Sequence, residues 1–450
     1  MSNIPQLVRS IFLEWSFEFS HTVWPRFQFL ILSSILCIGR HTISGLLRVA
    51  GFLSDGHWCS YHRVLSMRHW SIWRVARILA GYVLDRFVPD GIVSLVGDDT
   101  VTEHPGKKVY GKGCHRDATR SSHSYVAWRW GHKWVVLGIQ VRLPGLNRPW
   151  VLPILCALYR STKEDARSGR RHKTCIDLVR QLICVLMRWF PQRKFRFAGD
   201  GGYATHPLGR FATRHPQLTL VSKFYPKAML YNPPPKRKSR KPGRPRVRGR
   251  KLPNPQTVVA KTKHRTTLHV SWYGGGRRRV EIVTGTGHWY MSGQGLVTLR
   301  WVYVKDLTGT HRDEYFFTTD VEMTPREIIE VYTGRWSIEV TFEEVREHLG
   351  LETTRGWSQQ TILRAEPCLF GLYTLVAIWF SELPERERQS PVVLWTGAVK
   401  KTLTFSDAIT LVRRHIWRNW IFASPRYSQA FQKLTGSEKT LLINTITQAT

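Results

Sequence analysis

Two short apolar runs in this chain end in carboxylates, and those residues have the type and setting to do chemistry. Ile92–Val96 leads into Gly97-Asp98-Asp99-Thr100, and Phe195–Ala198 leads into Gly199-Asp200-Gly201-Gly202. A carboxylate delivered by a buried strand is costly to leave unpaired, and hard oxygen is the ligand a divalent cation takes. The glycines beside Asp200 let a ligand come close to the backbone. The plainer reading of each aspartate is a turn cap, and in the first run Asp98 and Asp99 qualify equally. A third acidic candidate, Glu339, lies in the stretch Thr324–Gly350.

That stretch predicts one long helix. Thr324 is a good N-cap, Pro325 suits the first helical position, and Glu327 completes a Thr-x-x-Glu capping box. Gly350 fits the stop. Such a helix is about 37 Å long at ~1.5 Å per residue. On a wheel of about 100° per residue, Val331, Ile338, Phe342, Val345 and Leu349 form an apolar stripe. Tyr332, Arg335, Glu339, Glu343 and Arg346 form a mixed-charge stripe directly beside it. A solvated face with pairs such as Arg335–Glu339 would show the same pattern. Gly334 weakens the helix by about 1 kcal/mol, so its presence asks for a reason.

Before this stretch, residues 1 to about 90 read as helical, with Arg and His interspersed among the apolar positions. They predict either a small DNA-binding unit or a helical cap. Residues 106–117 read as a flexible basic loop suited to phosphate contact through Lys107, Lys108 and Lys112. Ser124–Trp130 and Trp134–Val141 predict a hairpin turning at Gly131-His132-Lys133. Trp150–Tyr159 follows as a strand, Arg170–Phe190 as an amphipathic helix, and Leu218–Ser222 as a strand. From Lys236 to Lys251, ten of sixteen residues are basic and none is acidic. Gly243-Arg244-Pro245-Arg246 is similar to an AT-hook core, whose arginines enter a narrow minor groove. Five β-like runs come next: Thr257–Ala260, Leu268–Tyr273, Val280–Val283, Leu296–Val304 and Tyr315–Thr319. Residues 361–383 and 404–450 read as helical support.

Composition narrows the partners. The net charge is +35 over 450 residues, with 42% hydrophobic residues. A globular chain this basic points to a polyanion, nucleic acid before a membrane surface. Seven scattered cysteines without a Cys-x-x-Cys pair fit a reducing compartment. His57-x-Cys59-x-x-His62 is too sparse to predict a metal site. No signal peptide is evident, and the apolar runs at 27–38 and 367–380 are too short to span a bilayer.

Tyr332, two residues, Arg335, three residues, Glu339, six residues and Arg346 resemble the Y-R-E-K signature of bacterial insertion-sequence transposases of the DDE type. Arg346 stands where that pattern has Lys. The order of strand with Asp, hairpin, strand, helix, strand with Asp, helix and strand is similar to an RNase H-like core. The resemblance implies an α/β fold: an RNase H-like catalytic core with a β-rich insertion before the Glu-bearing helix, flanked by helical ends. It implies boundaries at 1–90, 91–224, 225–320, 321–352 and 353–450. It favours Asp98 over Asp99 and makes Asp98, Asp200 and Glu339 the catalytic ligands of Mg²⁺ or Mn²⁺, expected as two ions. It gives Tyr332, Arg335 and Arg346 to DNA, beside Lys107, Lys108, Lys112, Arg244 and Arg246. In such enzymes a tryptophan from the insertion can stack on a flipped base; Trp289 and Trp301 are the candidates. The implied partners are double-stranded transposon ends and target DNA, bound by a homodimer without a membrane, at the nucleoid of a bacterial cytoplasm. The implied activity is metal-dependent DNA cleavage and strand transfer. The rivals are a nuclease that never joins and a non-catalytic DNA-binding protein descended from a transposase.

Overall fold

The computed structural model describes residues 4–117, 120–122, 124–146, 148–235, 246–388, 400 and 402–448. Five helices come first: α1 (Gln6–Ser16), α2 (Trp24–Leu36), α3 (Ile43–Ala50), α4 (Cys59–Ser66) and α5 (Ile72–Phe87). Then follow β1 (Ile92–Glu103), β2 (Gly113–Asp117), β3 (Ala127–Val141), β4 (Trp150–Tyr159), α6 (Thr162–Arg167), α7 (Cys175–Trp189), β5 (Lys194–Gly199), α8 (His206–Thr213) and β6 (Leu218–Lys223). The next segment holds β7 (Leu230–Tyr231), α9 (Pro255–Lys261), β8 (Thr266–Ser271), β9 (Arg277–Met291), β10 (Gly295–Asp306) and β11 (Glu314–Thr318). The chain ends in α10 (Pro325–Gly334), α11 (Ser337–Leu349), α12 (Gln359–Glu382), α13 (Glu385–Arg388), α14 (Phe405–Ile416), α15 (Pro425–Lys433) and α16 (Gly436–Thr447).

The described strands make one mixed sheet in the order β2-β3-β1-β5-β6-β11-β10-β9-β7, with β4 beside β3 and β8 beside β9. β5 runs parallel to β1 and to β6, while β3 is antiparallel to β1. This is the expected RNase H-like order. The insertion extends the same sheet, because β11 pairs with β6.

Three local expectations give way. Residues 127–141 are one continuous strand and do not turn at Gly131. β3 is flanked there by Glu103 and Gly113, and a Cβ on Gly131 would lie 1.7 Å from the Thr102 carbonyl oxygen. The glycine therefore serves a close strand approach. The true ribbon partner is β2, part of what reads as a basic loop. Likewise β1 runs on through the aspartates, so Asp98 and Asp99 sit within a strand. Residues 257–260 are helical, because Asn254 caps the segment through the Thr257 amide and Pro255 occupies its first position.

The N-terminal helices pack as a cap: α1, α2, α4 and α5 contact α12, and α5 also contacts β4. α12 is long and apolar enough to cross a membrane by composition alone, yet most of it is buried inside this protein. Within it Glu366 is 1% exposed. It accepts hydrogen bonds from the Thr102 hydroxyl (2.9 Å) and the Trp134 indole, with His132 Nδ1 at 3.2 Å. Glu366→Ala strands buried donors on β1 and β3 and should cost about 2–4 kcal/mol in denaturant unfolding. Glu366→Gln, which keeps an acceptor, should recover part of that loss.

Candidate active site

The site begins at a register match. Gly97 of β1 pairs with Gly199 of the parallel β5, so Asp98 within β1 and Asp200 just past the end of β5 follow at neighbouring positions. Neither glycine has room for a side chain: a Cβ on Gly97 would lie 2.6 Å from the Phe197 ring, and one on Gly199 would lie 2.7 Å from Tyr203 Cβ. Asp200 is held by its own turn, its Oδ1 accepting from the Gly202 amide at 2.8 Å. The Ser222 hydroxyl donates to the Asp200 carbonyl oxygen at 2.8 Å.

The Glu-bearing segment is two helices. The Thr324–Glu327 capping box forms as expected and Gly350 closes α11 at φ 67°. The break falls between Gly334 and Ser337, where the Gln140 side chain on β3 donates to the Gly334 carbonyl oxygen at 2.7 Å. A Cβ on Gly334 would lie 2.7 Å from that amide nitrogen. The glycine is thus the docking point of the segment on the sheet. The break turns Arg335 inward, and its side chain is only 8% exposed.

Arg335 holds the site together. Its Nη1 lies 2.9 Å from Asp98 Oδ2 and its Nη2 3.0 Å from Glu339 Oε1. Burial pushes the Asp98 carboxyl up to about 7; Arg335 pulls it down, and Asp200 and Asp99 add to the rise. Burial alone would lower the Arg335 pKa, but the surrounding carboxylates, Asp98 foremost, raise it above its usual value. Asp99 belongs to a different network: Lys133 Nζ is 2.7 Å from its Oδ2, and the Tyr203 hydroxyl is 3.5 Å from its Oδ1. Sequence reading misses Lys133 because it places that residue in a turn.

The other expected DNA contacts scatter. Tyr332 is 1% exposed and stacks on Phe316 at 4.3 Å between centroids, so it supports the core rather than facing a phosphate. Arg346 clips α11 to β1: its guanidinium donates to the Thr100 hydroxyl and to the Val101 carbonyl oxygen (3.2 Å), with Glu352 3.2 Å away. Lys112 closes its own loop onto the Gly106 carbonyl oxygen at 2.6 Å. Lys107, Lys108 and Arg246 are exposed, and Arg244 lies outside the described residues. Trp301 is 2% exposed in the core. Trp289 instead lines a cavity of about 460 Å³ with His206, Tyr225 and Met291.

The RNase H-like sheet thus brings Asp98 and Asp200 to neighbouring positions, and Arg335 joins the Glu339 helix to Asp98. A profile of the DDE superfamily endonucleases matches residues 18–279, more than half of the chain, and the chain belongs to that family. A second profile, of the archaeal putative transposase ISC1217, matches residues 289–372, the part that carries Glu339. Among solved structures the chain is similar to piggyBac transposase in a cryo-EM synaptic complex with hairpin DNA, at 9% identity, with a TM-score of 0.42, over 99% of this chain and 82% of that one. No curated protein matches.

The family implies divalent metal. The donor chemistry fits, since Asp98, Asp200 and Glu339 offer only hard oxygen. Among the described residues, no three acidic, His or Cys side chains are gathered closely enough to hold an ion, and the Arg335 guanidinium bridges Asp98 and Glu339.

Proposed function

We propose that this chain is the transposase of an insertion-sequence element. It binds the element's terminal inverted repeats, nicks their ends and joins the freed 3′-OH to target DNA. The observation that carries this reading is the Gly97–Gly199 register, which sets Asp98 and Asp200 abreast under the Glu339 helix. Asp98, Asp200 and Glu339 would hold Mg²⁺ or Mn²⁺. When bound, a metal pair supplies an activated oxygen nucleophile and a stabilised leaving oxygen. The chain's own residues do the positioning. Gln140 fixes the helix break, Arg346 fixes α11 against β1, and Arg335 neutralises Asp98 and Glu339 in the chain alone. Trp289, at its cavity, is the better placed of the two tryptophans to receive a flipped base. Lys107, Lys108 and the basic segment ending at Lys251 would grip DNA backbone. The working form would be a homodimer on paired ends, at the nucleoid of a bacterial cytoplasm.

The test is cleavage of DNA carrying the element's flanking repeats, with Mg²⁺ or with EDTA, wild type beside Glu339→Gln. Metal-dependent nicking at the repeat boundary that the variant lacks supports the proposal. Cutting without joining makes the chain a nuclease, and binding without cutting makes it a non-catalytic DNA-binding protein.

The basic segment carries its own prediction. Deleting residues 236–245 removes six Lys or Arg residues. The log–log dependence of DNA affinity on salt should flatten by about 0.9 for each phosphate that the protein no longer neutralises. An unchanged slope in a salt titration would mean the segment does not touch DNA.

A further inference from the structure

Far from the carboxylates, the ribbon of β2 and the first part of β3 carries two tryptophans in solvent. Trp128 is 62% exposed and Trp130 63%. The residues between and beside them, Ala127, Arg129 and Gly131, are buried, so the two indoles share one face. Their Cα atoms are about 6.8 Å apart at ~3.4 Å per residue. That is twice the ~3.4 Å spacing of stacked bases. Arg116 and Cys114, which face Trp128 and Trp130 across the ribbon, are exposed as well.

The ribbon is braced. Arg129, 8% exposed, lies between the tryptophans in sequence and pairs on the opposite side with Asp117 (2.8 Å), Glu103 (3.2 Å) and Glu352 (3.2 Å). The indoles therefore stand on a fixed backbone. The Trp130 carbonyl oxygen accepts from the His104 amide at 3.2 Å, which starts the loop holding exposed Lys107 and Lys108. Further along that loop the Tyr110 amide donates to the Trp357 carbonyl oxygen at 3.0 Å, bringing a third exposed tryptophan and exposed Arg355 to the same end of the sheet.

Exposed indoles set among cations suit a partner that combines flat π-faces with negative charge. The charged side chains around the indoles, Arg116, Lys107, Lys108 and Arg355, are cations, which favours a polyanion over a neutral protein face. Aromatic rings take unpaired bases without regard to sequence, and the cations track the phosphates. We propose that this ribbon is a stacking platform for single-stranded DNA. The proposal rests on the transposase reading for its setting. β3 connects the two sites, since Val136 is the register partner of Asp98. Trp130 is six residues from Val136 and Trp128 eight, or about 20 and 27 Å along the strand. The platform would hold DNA bases about 20–27 Å from the carboxylates, several nucleotides along an unpaired strand.

The test is binding of a fluorescent 20-mer of thymidine, in EDTA so that no cleavage is involved. Trp128→Ala/Trp130→Ala should weaken it about tenfold or more per ring. Fully paired repeat DNA should keep its affinity, and the salt slope should be unchanged because no charge is lost. Trp128→Phe/Trp130→Phe should restore much of the binding. Both indoles are in solvent, so the thermal melt should not move. With 2-aminopurine scanned along a pre-nicked end, quenching should peak at a position several nucleotides from the nick and vanish in the alanine variant. Unchanged single-strand affinity overturns the proposal, as does a dimer that the alanine variant breaks while binding the 20-mer normally. If the wild type binds the 20-mer through its tryptophans but never cuts repeat DNA, the platform stands and the transposase reading fails.

Discussion

On the proposed function, Asp200→Ala should abolish strand cleavage while DNA affinity stays within about twofold, because the affinity would come from Lys and Arg contacts to phosphate. Asp200 contributes through position. It follows Gly199, which is in register with Gly97, and its turn is held by the Gly202 amide and the Ser222 hydroxyl, so it lies next to Asp98. Removing it takes away one of the three proposed ligands. Losing several kcal/mol of charge stabilisation lowers the rate by about three orders of magnitude or more, at ~1.36 kcal/mol per tenfold. It also removes one of the charges that raise the Asp98 pKa, which offsets part of the roughly 1 kcal/mol lost with the cap on the Gly202 amide. The decisive pair of measurements is single-turnover cleavage in Mg²⁺ and equilibrium binding in EDTA, on the same repeat DNA. Equal loss of both would remove Asp200 from the ligand set and make it a structural turn.

What the sequence made legible is local. An apolar run, a glycine and an aspartate recur at Val96-Gly97-Asp98 and Ala198-Gly199-Asp200, and each is a strand feeding a carboxylate into one site. The Thr324–Glu327 box is read from four residues because its bonds are made within those four. What stayed hidden depends on partners remote in sequence. Gly131 signals a turn when read alone; only the Thr102 carbonyl oxygen, 1.7 Å from where a Cβ would be, shows why glycine is needed there. The wheel places Tyr332 with Glu339 for an unbroken helix. The Gln140 bond at Gly334 breaks that register, burying Tyr332 against Phe316 and swinging Arg335 toward Asp98. Thr257–Ala260 looks like a strand from its β-branched residues, but the Asn254 cap and Pro255 decide for helix.

Arg335→Ala should be the most destabilising single change at the site, and its cost should depend on pH. The substitution leaves Asp98, of whose side chain 16% is exposed, beside Asp200 and Asp99 without the guanidinium that Nη1 now supplies at 2.9 Å. Breaking a buried ion pair from one side costs about 3–5 kcal/mol. Asp98 already has its pKa raised to about 7 in the folded chain, against 3.8 for a free aspartate. Losing Arg335 raises it further. Below the raised value, the folded state binds a proton that the unfolded chain does not bind until pH falls near 4, so folding gains stability as pH falls through this window. The variant, with the higher pKa, begins to gain sooner. The gap between variant and wild type should therefore be widest near pH 8.5 and should shrink by pH 6. Denaturant unfolding in EDTA at the two pH values measures it. Asp98→Asn in the Arg335→Ala background removes the buried charge itself; it should recover much of the stability and erase the pH dependence. A loss that is equal at both pH values, and that Asp98→Asn does not relieve, would mean that Arg335 stabilises the helix break by packing rather than by neutralising Asp98.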